Sequence, residues 1–495
     1  MGRPVRWIET RSENLVNMTH GRGMVQDVEV GVTAAGRLVG LRVRAWGDVG
    51  AYPLRGTFIP LVTRLMSAGV YRWARHDFSA VTVVTNTTPT GPYRGAGRPE
   101  AAALVERAVD MAAATIGMDP VELRRRNLPG PEEFPFTTAT GAVYDSGNYQ
   151  GALDRALELA QYDRLRAEQR ELLAAGRELL GIGVACYVET SGRGAEFGSV
   201  SVEDDGTVTV VTGSVPHGQG HETTWAQIAA SVLGVDPAVV RVVHSDTAQV
   251  DHGVGTFGSR SLQLAGSAVH QAATEVLDRA VRLASELLEA RPDDVVVAPG
   301  GLGVAGVPSS TLPWARLAAE AARRGVALQR QLDFESAGSF PFGCHVAVVV
   351  VDRETGLVRL REMVAVDDCG VVVNPLLAQG QVHGGLAQGI AQILFEGVLY
   401  DDRGNPLTTN LADYLVPSAA DLPGFRTDHT VTPSPNNPLG AKGIGESGTT
   451  GSVSAVWNAV VDALAPFGVR HLDPPFTPEK LWRTLRAVDP SPAGS

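Results

Sequence analysis

Cysteine is scarce in this chain, which has three cysteines among 495 residues. Cys186, Cys344 and Cys369 lie far apart, so the sequence lacks the spacings that are typical of zinc or iron–sulfur ligation. We therefore predict that each cysteine is a small buried residue in a reducing compartment. No protein-ligated metal cluster is expected on this chain.

Positive charge is also limited. The chain has 42 Lys and Arg against 54 Asp and Glu, a formal net charge of −12, and its one basic run is residues 124–126. Nucleic-acid binding needs clustered positive charge, so nucleic acid is not an expected partner. Only Lys442 and Lys480 are lysines. Lys442 lies in a glycine-rich stretch, where a compact cation suits a phosphate; a solvated surface lysine is the alternative.

Long hydrophobic runs are missing as well. An apolar run such as 346–351 has the length of a strand, far below the roughly 20 residues that a membrane-spanning helix needs. Residues 1–9 contain no apolar signal region. We therefore predict a cytoplasmic protein without a membrane span.

Glycine, in contrast, is abundant, with 56 residues. Glycine-rich stretches meet the predicted starts of five helices, at residues 91–98, 213–221, 253–261, 380–389 and 438–451. The first amides of a helix have no partner within it and carry the positive end of its dipole, so a glycine turn there lets a phosphate approach. One such turn is common for geometric reasons alone. Five, several of them carrying Gln, Ser or Thr, predict a long polar cofactor held by backbone amides.

The stretch 438–451 also contains one carboxylate, Glu446. Apolar residues at helical spacing from Val453 to Leu464 predict a helix that begins near Gly451. Because a carboxylate would repel phosphate, Glu446 beside an anionic cofactor would face the reacting centre and is a candidate general base. The alternative is that Glu446 only complements the positive helix end.

Alternating apolar residues around a turn predict three hairpins, at 25–43, 200–210 and 346–360. Helices are predicted at 99–117 and, as one long charged helix, around 152–173. These patterns indicate an α+β protein with two related domains, mixed sheets and packed helices. The predicted organisation is a first domain at 1–150, a connecting helix at 151–177, and a second domain with a C-terminal extension at 178–495.

Two glycine motifs suggest other enzymes but lack the required context. Residues 443–448 spell a dinucleotide-binding fingerprint, yet the proline-rich segment 433–438 stands where a strand should precede it. Residues 445–449 are one residue short of a nucleophile elbow, because Thr449 replaces the final glycine. Neither a Rossmann enzyme nor a serine hydrolase is therefore favoured.

Two pairs of polar residues give similarly weak evidence for a metal site or for acidic chemistry. His217 and His221 have the spacing of helical metal ligands, but two intervening glycines indicate a loop. The pair 367–368 could suggest acidic chemistry, whereas the end of a strand before a turn is the favoured interpretation.

Five motifs occur in a fixed order along the chain, at residues 92–98, 218–223, 368–375, 381–388 and 442–448. Together they resemble the molybdopterin-binding large subunit of the xanthine dehydrogenase, aldehyde oxidase and aerobic carbon monoxide dehydrogenase family, over nearly the whole chain. The resemblance implies two molybdopterin-binding domains and a molybdenum-molybdopterin cytosine dinucleotide cofactor. Because the pterin supplies sulfur ligands to the metal, it also accounts for the missing cysteine cluster.

The resemblance implies a molybdenum hydroxylase that oxidises an aldehyde or an N-heterocyclic carbon with oxygen from water. Glu446 matches the family's catalytic glutamate, and Arg94 would lie near the substrate. The residues expected to hold the cofactor are Gly95, Gly218, Gln219, Gly220, His221, Gly258, Ser259, Ser261, Gln388, Lys442, Gly443 and Gly445. Electrons would leave through separate chains, a small subunit with [2Fe-2S] clusters and a medium subunit with FAD.

Two features depart from the family's pattern. In the copper-containing carbon monoxide dehydrogenases this loop carries a cysteine, whereas Arg94 is followed by Gly95, Ala96 and Gly97. The chain thus resembles the copper-free second form, and carbon monoxide oxidation is disfavoured. Compared with family members, the chain begins well past their N-terminus, without their N-terminal domain and a Gly-Gly-Phe-Gly loop. The resemblance therefore implies a first domain that is incomplete on its N-terminal side. Either another polypeptide supplies this part, or the chain is a truncated, non-catalytic fragment that only binds partner subunits.

Overall fold

The computed structural model describes residues 2–176 and 178–488. The first part of the chain forms a three-stranded sheet with helices packed on it. The elements in chain order are α1 (Arg11–Asn17), β1 (Met24–Val32), β2 (Leu38–Gly50), α2 (Phe58–Met66), β3 (His76–Val84), α3 (Arg98–Ile116), α4 (Pro120–Arg125), β4 (Phe136–Thr137), β5 (Val143–Tyr144), α5 (Tyr149–Ala160) and α6 (Tyr162–Ala174). Strand β2 is central, antiparallel to β1 and parallel to β3.

The second part of the chain contains three further sheets. Its elements are β6 (Leu179–Val188), β7 (Ser191–Val202), β8 (Val208–Thr212), α7 (His221–Leu233), β9 (Val240–Val243), α8 (Ser267–Leu287), β10 (Val295–Ala298), β11 (Gly301–Val304), β12 (Val307–Pro313), α9 (Trp314–Arg323), β13 (Gln329–Ser339), β14 (Phe342–Val351), β15 (Val358–Asp368), α10 (Pro375–Leu394), β16 (Arg426–Thr430), α11 (Ser447–Leu464) and α12 (Pro478–Val488). The strand orders are β13-β7-β8-β9, β10-β11-β12 and β16-β15-β14-β6.

The prediction of an α+β fold with mixed sheets is confirmed, with 36% helix and 26% strand. All three predicted hairpins are present, as β1–β2, β7–β8 and β14–β15. Strand β15 ends at Asp368, as expected, and all three cysteines are buried and free. Among the described residues, no helix has both the length and the apolar character needed to cross a membrane.

Three local predictions are wrong. The long helix expected around 152–173 is interrupted at Gln161, whose φ of 53° ends α5 and starts α6. Helix α11 begins at Ser447 and not near Gly451, because the amides of Thr449 and Thr450 already bond to the Glu446 carbonyl. The glycines of 380–389 lie inside α10 and form no turn before a helix.

Helix α11 is the buried centre around which the second part packs. An added Cβ at Gly181 or Gly183 of β6 would lie 2.0 Å from a carbonyl oxygen of α11. Nearer the start of α11, an added Cβ at Gly385 of α10 would lie 2.9 Å from Gly448 Cα and from Thr449 N. These glycines therefore allow α11 to approach its neighbours closely, and packing of this kind cannot be distinguished from a turn in the sequence.

The glycines of α10 provide a test of this packing. We expect Gly385→Ala to lower the free energy of unfolding by about 1–3 kcal/mol, the usual cost of overpacking against fixed backbone. Gly380→Ala is the matched control in the same helix, since nothing lies within 4 Å of an added Cβ there. We expect the control to be neutral or stabilising by up to about 1 kcal/mol. Chemical denaturation measures both, and equal effects would contradict the close approach of α10 and α11.

One hydrophobic cluster joins both parts of the chain. It includes Leu104 and Leu153 from the first part together with Val184 of β6 and Val346 of β14, all buried. The division into domains at 1–150 and 178–495 stays a prediction.

Candidate functional site

A cavity of about 530 Å³ opens where the loops before α3, α7, α8 and α11 meet helix α10. All the predicted site residues line it except Gly95 and Gly220. The predicted residues that line the cavity are Arg94, Gly218, Gln219, His221, Gly258, Ser259, Ser261, Gln388, Lys442, Gly443, Gly445 and Glu446. A larger groove of about 680 Å³ lies at the surface beside α4, α5 and α6 and contains none of them.

Gly95 and Gly220 lie behind the cavity wall. The Gly95 amide donates to Glu446 Oε1 at 2.9 Å. Gly220 caps α7 with a φ of 78°, in the left-handed region that favours glycine, and an added Cβ would lie 2.7 Å from Leu377. Both glycines therefore shape the wall without lining it.

The carboxylate of Glu446 is fixed at the N-terminus of α11. In addition to the Gly95 amide, the Ser259 hydroxyl donates to Glu446 Oε2 at 2.8 Å, and the Arg98 guanidinium lies 3.6 Å from the same oxygen. The side chain keeps 14% of its surface exposed. Glu446 is thus held by three groups from two other loops and remains accessible from the cavity. The sequence pattern did not single out Arg98, although it is the last residue of the predicted 91–98 loop.

The half-buried Arg94 ties the Glu446 loop to α10. Its guanidinium donates to the Gly445 carbonyl at 2.6 Å, to Gln388 Oε1 at 3.0 Å, and to the backbone and side-chain oxygens of Gln381 at 3.0 and 3.3 Å. Burial lowers the pKa of Arg94. These bonds make Arg94 a clamp between two cavity walls, and its predicted contact with substrate stays a prediction.

Lys442 does not provide the exposed cation that the sequence suggests. Its side chain is 0% exposed, and its ammonium donates to the Ser146 carbonyl at 3.2 Å, 3.9 Å from Asp368 Oδ1 and 4.8 Å above the Phe342 ring. Burial lowers the pKa of Lys442, whereas Asp368 opposes this shift. The burial of Lys442 contradicts the alternative of a solvated surface lysine, and its contact with a phosphate stays a prediction.

A second buried carboxyl, Glu189, lies behind Glu446 and was missed from the sequence. It is 0% exposed and accepts a hydrogen bond from the Ser447 hydroxyl at 3.0 Å. Burial, and after it the charge of Glu446, raises the pKa of Glu189 to about 8. A lone glutamate at the end of a strand gives no sequence signal of this environment.

The two histidines of the 213–221 stretch do not lie on one helix. His217 lies in the loop, and His221 is the first residue of α7. Burial lowers the pKa of His221, and its ring lies 5.2 Å from that of Trp225. The described residues include no group of three or more His, Cys, Asp or Glu able to hold a metal ion.

The lining fits a polar group that brings its own metal ligands. An added Cβ at Gly443 would lie 2.6 Å from Ser259 Cβ and carbonyl oxygen, so only glycine fits this wall. Gly218 and Gly258 have φ of 99° and 58°, which are rare for other residues. Trp225 also lines the cavity, and its buried indole N–H has no acceptor among the described residues. The walls therefore offer backbone, amide and hydroxyl groups and an unpartnered donor.

Two family models, both described as a molybdopterin cofactor-binding domain, match residues 1–128 and 155–423. The chain is 37% identical to the carbon monoxide dehydrogenase large chain of Hydrogenophaga pseudoflava, over 98% of this chain and 64% of the relative. It is 37% identical to the 6-hydroxypseudooxynicotine dehydrogenase complex subunit gamma of Paenarthrobacter nicotinovorans, over 99% and 63%. The chain thus spans slightly less than two thirds of the length of these relatives.

Solved structures of similar proteins have the same fold. The crystal structure of a Cu,Mo-CO dehydrogenase in its carbon monoxide reduced state superposes with a TM-score of 0.92 at 32% identity, covering 97% of this chain and 64% of that one. Quinoline 2-oxidoreductase from Pseudomonas putida 86 superposes with a TM-score of 0.91 at 36% identity, covering 98% and 65%.

Proposed function

The chain belongs to the molybdopterin-binding large-subunit family of the xanthine and carbon monoxide dehydrogenases, and on that premise we propose that it is the catalytic part of a molybdenum hydroxylase. The cavity would hold molybdenum-molybdopterin cytosine dinucleotide. When bound, this group supplies a metal that accepts two electrons as oxygen from water is added to a carbon atom. The convergence of four glycine loops on one cavity beside Glu446 is the observation that carries this proposal.

The cavity walls supply the groups that would bind the cofactor. Gly218 and Gly258 leave the backbone open to a bulky polar group, and Gly443 and Gly445 let their loop approach Ser259 closely. Gln219 and Ser261 add polar side chains. An acidic protein with few lysines would thus hold an anion mainly through neutral donors. That the molybdopterin carries a cytosine dinucleotide is also part of the proposal.

Glu446 would act as the general base. Its carboxylate is positioned by the Gly95 amide, the Ser259 hydroxyl and Arg98, so it needs no rearrangement before accepting a proton. A positioned base of this kind contributes about 10²- to 10⁴-fold to rate.

An aldehyde or an N-heterocyclic carbon is the proposed substrate. The loop 94–97 contains no thiol that could hold copper. Cys369 does line the cavity, but burial raises the pKa of its thiol to about 12, which disfavours the thiolate that copper would need. Carbon monoxide oxidation is therefore the less favoured activity within this class.

The electrons would pass to an iron–sulfur small subunit and an FAD-binding medium subunit. The sequence spans 64% of the length of the first relative. The rival proposal is a non-catalytic fragment that binds partner subunits without molybdenum. Co-expression with the neighbouring genes, followed by metal and nucleotide analysis, separates the two. Stoichiometric molybdenum with cytosine nucleotide supports the enzyme, and an assembled complex without molybdenum supports the fragment.

Gly443 offers a test of the proposed cofactor position, because it lines the cavity. We expect Gly443→Val to reduce the molybdenum content of the co-expressed protein severely, because the side chain would displace Ser259 and occupy the wall. Gly424→Val is the control, since nothing lies within 4 Å of an added Cβ there. Metal analysis of both variants at equal yield of folded protein is the measurement. Full molybdenum content in Gly443→Val would contradict the proposed position of the cofactor.

A further inference from the structure

The peptide bond between Arg94 and Gly95 is held at both ends by side chains from other segments. The Gly95 N–H donates to Glu446 Oε1 at 2.9 Å. At the other end, the guanidinium of Arg22 donates to the Arg94 carbonyl at 2.8 Å. Because this peptide bond is planar and trans, its carbonyl and its N–H point in opposite directions. Arg22 therefore lies across one peptide from the carboxylate of Glu446.

The guanidinium of Arg22 is fixed by further contacts. It donates to Gln392 Oε1 of α10 at 2.8 Å, to Glu100 Oε1 of α3 at 3.2 Å and to the Tyr93 carbonyl at 3.4 Å. It also lies 5.0 Å over the Tyr93 ring, and its side chain is 22% exposed. Glu100 in turn accepts from the Gly97 amide at 2.8 Å. Arg22 thus joins this loop to α3 and α10.

The loop needs such support because its backbone has few preferences of its own. Gly95, Ala96 and Gly97 all have positive φ, at 98°, 41° and 92°. Glycine adopts several backbone conformations at similar cost, so the peptide before Gly95 could rotate and turn its N–H away from Glu446. The same rotation would take the carbonyl of that peptide away from Arg22. Arg22 therefore opposes the rotation.

The charge of Arg22 acts in the same direction as its position. A cation that donates to a carbonyl polarises the peptide, and its N–H becomes a stronger donor, because linked hydrogen bonds strengthen one another where the local dielectric is low. The linked bonds here run from the guanidinium through one peptide to the carboxylate of Glu446. Arg98 donates to the next carbonyl, that of Gly95, at 2.9 Å. The two arginines thus hold neighbouring peptides.

We propose that Arg22 is a positioning residue for Glu446, which orients and polarises the Arg94–Gly95 peptide so that its N–H holds the carboxylate at the cavity. Arg22 does not line the cavity, so it acts through this peptide and not by contact with substrate or cofactor. It precedes Arg94 by 72 residues in the chain, and no local pattern indicates the contact. The effect on turnover rests on the proposed function, whereas the arrangement of the peptide does not.

Nuclear magnetic resonance of the Gly95 amide tests this arrangement without molybdenum or turnover. In the full-length chain labelled with ¹³C at arginine carbonyls and ¹⁵N at glycine, only glycines that follow an arginine give a correlated signal. Arg94→Lys identifies the Gly95 signal by its loss. In Arg22→Gln we expect the Gly95 amide proton to move upfield and to exchange faster with solvent, because its hydrogen bond to Glu446 weakens. Arg22→Lys keeps a cation and should give an intermediate shift.

Arg126→Gln is the matched control. Arg126 also donates to a carbonyl and to a carboxylate, those of Ala35 and Glu122, each at 2.7 Å, but it is exposed and lies outside the site. The control should leave the Gly95 signal in place.

Steady-state kinetics of the co-expressed complex test the consequence for turnover. In Arg22→Gln we expect kcat to fall by about tenfold, less than the roughly 10²-fold lost when a preorganised donor is removed outright. The KM and the molybdenum content should not change, because Arg22 does not line the cavity. Arg22→Lys should recover part of the lost kcat, and Arg126→Gln should keep the wild-type rate.

A Gly95 signal that stays in place in Arg22→Gln, or that moves as far in Arg22→Lys as in Arg22→Gln, would overturn the proposal. A fall in turnover with an unmoved Gly95 signal would also overturn it, because that result indicates a merely structural role. A wild-type complex without molybdenum or turnover would count against the proposed function alone, since the Gly95 signal decides the role of Arg22 in either case.

Discussion

Replacing Glu446 by Gln is expected to lower kcat by about 10²- to 10⁴-fold, the contribution of a positioned general base. The Gln side chain has nearly the same shape, and its carbonyl oxygen can still accept from the Gly95 amide or the Ser259 hydroxyl. Binding of the cofactor should therefore be retained while the proton acceptor is lost. The measurement is turnover of aldehydes and aromatic heterocycles by the co-expressed complex with an artificial electron acceptor, with molybdenum content determined in parallel.

Glu222→Gln is the matched control for this variant. Glu222 belongs to the 218–223 motif and stands in the first turn of α7, but its carboxylate bonds to His244 at 2.8 Å and does not line the cavity. We expect the control to keep both molybdenum and turnover. If Glu446→Gln, loaded with molybdenum, turned over at the wild-type rate, Glu446 would not be the base.

Arg94→Lys should have the second largest effect, because it removes hydrogen bonds that join two cavity walls while it keeps the positive charge. The planar guanidinium donates to Gly445, Gln381 and Gln388 together, and an ammonium on a flexible stem cannot reproduce this fork. Unpaired buried acceptors cost about 1–3 kcal/mol each, so we expect a loss of about 3 kcal/mol in unfolding free energy. Turnover should also fall by about 10²-fold, because the Glu446 loop would shift.

Arg42→Lys on β2 is the control for this clamp. Arg42 pairs with Glu29 at 2.9 Å, but both side chains are exposed, and surface pairs contribute about 0–1 kcal/mol. Chemical denaturation and steady-state kinetics measure both variants. A change no larger in Arg94→Lys than in Arg42→Lys would contradict the bridging role of Arg94.

Much of the fold follows from local signals in the sequence. The alternating residues of β1–β2, β7–β8 and β14–β15 place their hairpins without reference to the rest of the chain. Proline and glycine likewise mark the ends of α3. These patterns depend on the period of an element and on its own caps, and both are written in consecutive residues.

Other features depend on contacts between distant segments. Gly385 has the same sequence character as a turn glycine, and only the approach of α11 makes it a packing residue. The ammonium of Lys442 is buried near Asp368, and no sequence pattern around Lys442 predicts this contact. A single left-handed residue, Gln161, divides a helix whose charged pattern is continuous.

The predicted site divides in the same way. The sequence singled out the glycine loops and Glu446 because glycine turns and an isolated carboxylate are visible in consecutive residues, and these segments meet at one cavity. Arg98 and Glu189 were missed because their roles arise from the position of α3 and β6 relative to Glu446. The resemblance to a family supplied the chemistry of the cofactor, which residue patterns alone left as a long polar group.

An anomalous difference map at the molybdenum edge, from crystals of the co-expressed complex, tests the central claim most directly. The proposed function predicts one molybdenum peak in the cavity bounded by α10 and α11, beside the carboxylate of Glu446. A molybdenum peak remote from Glu446, or an assembled complex whose cavity contains no molybdenum, would contradict it.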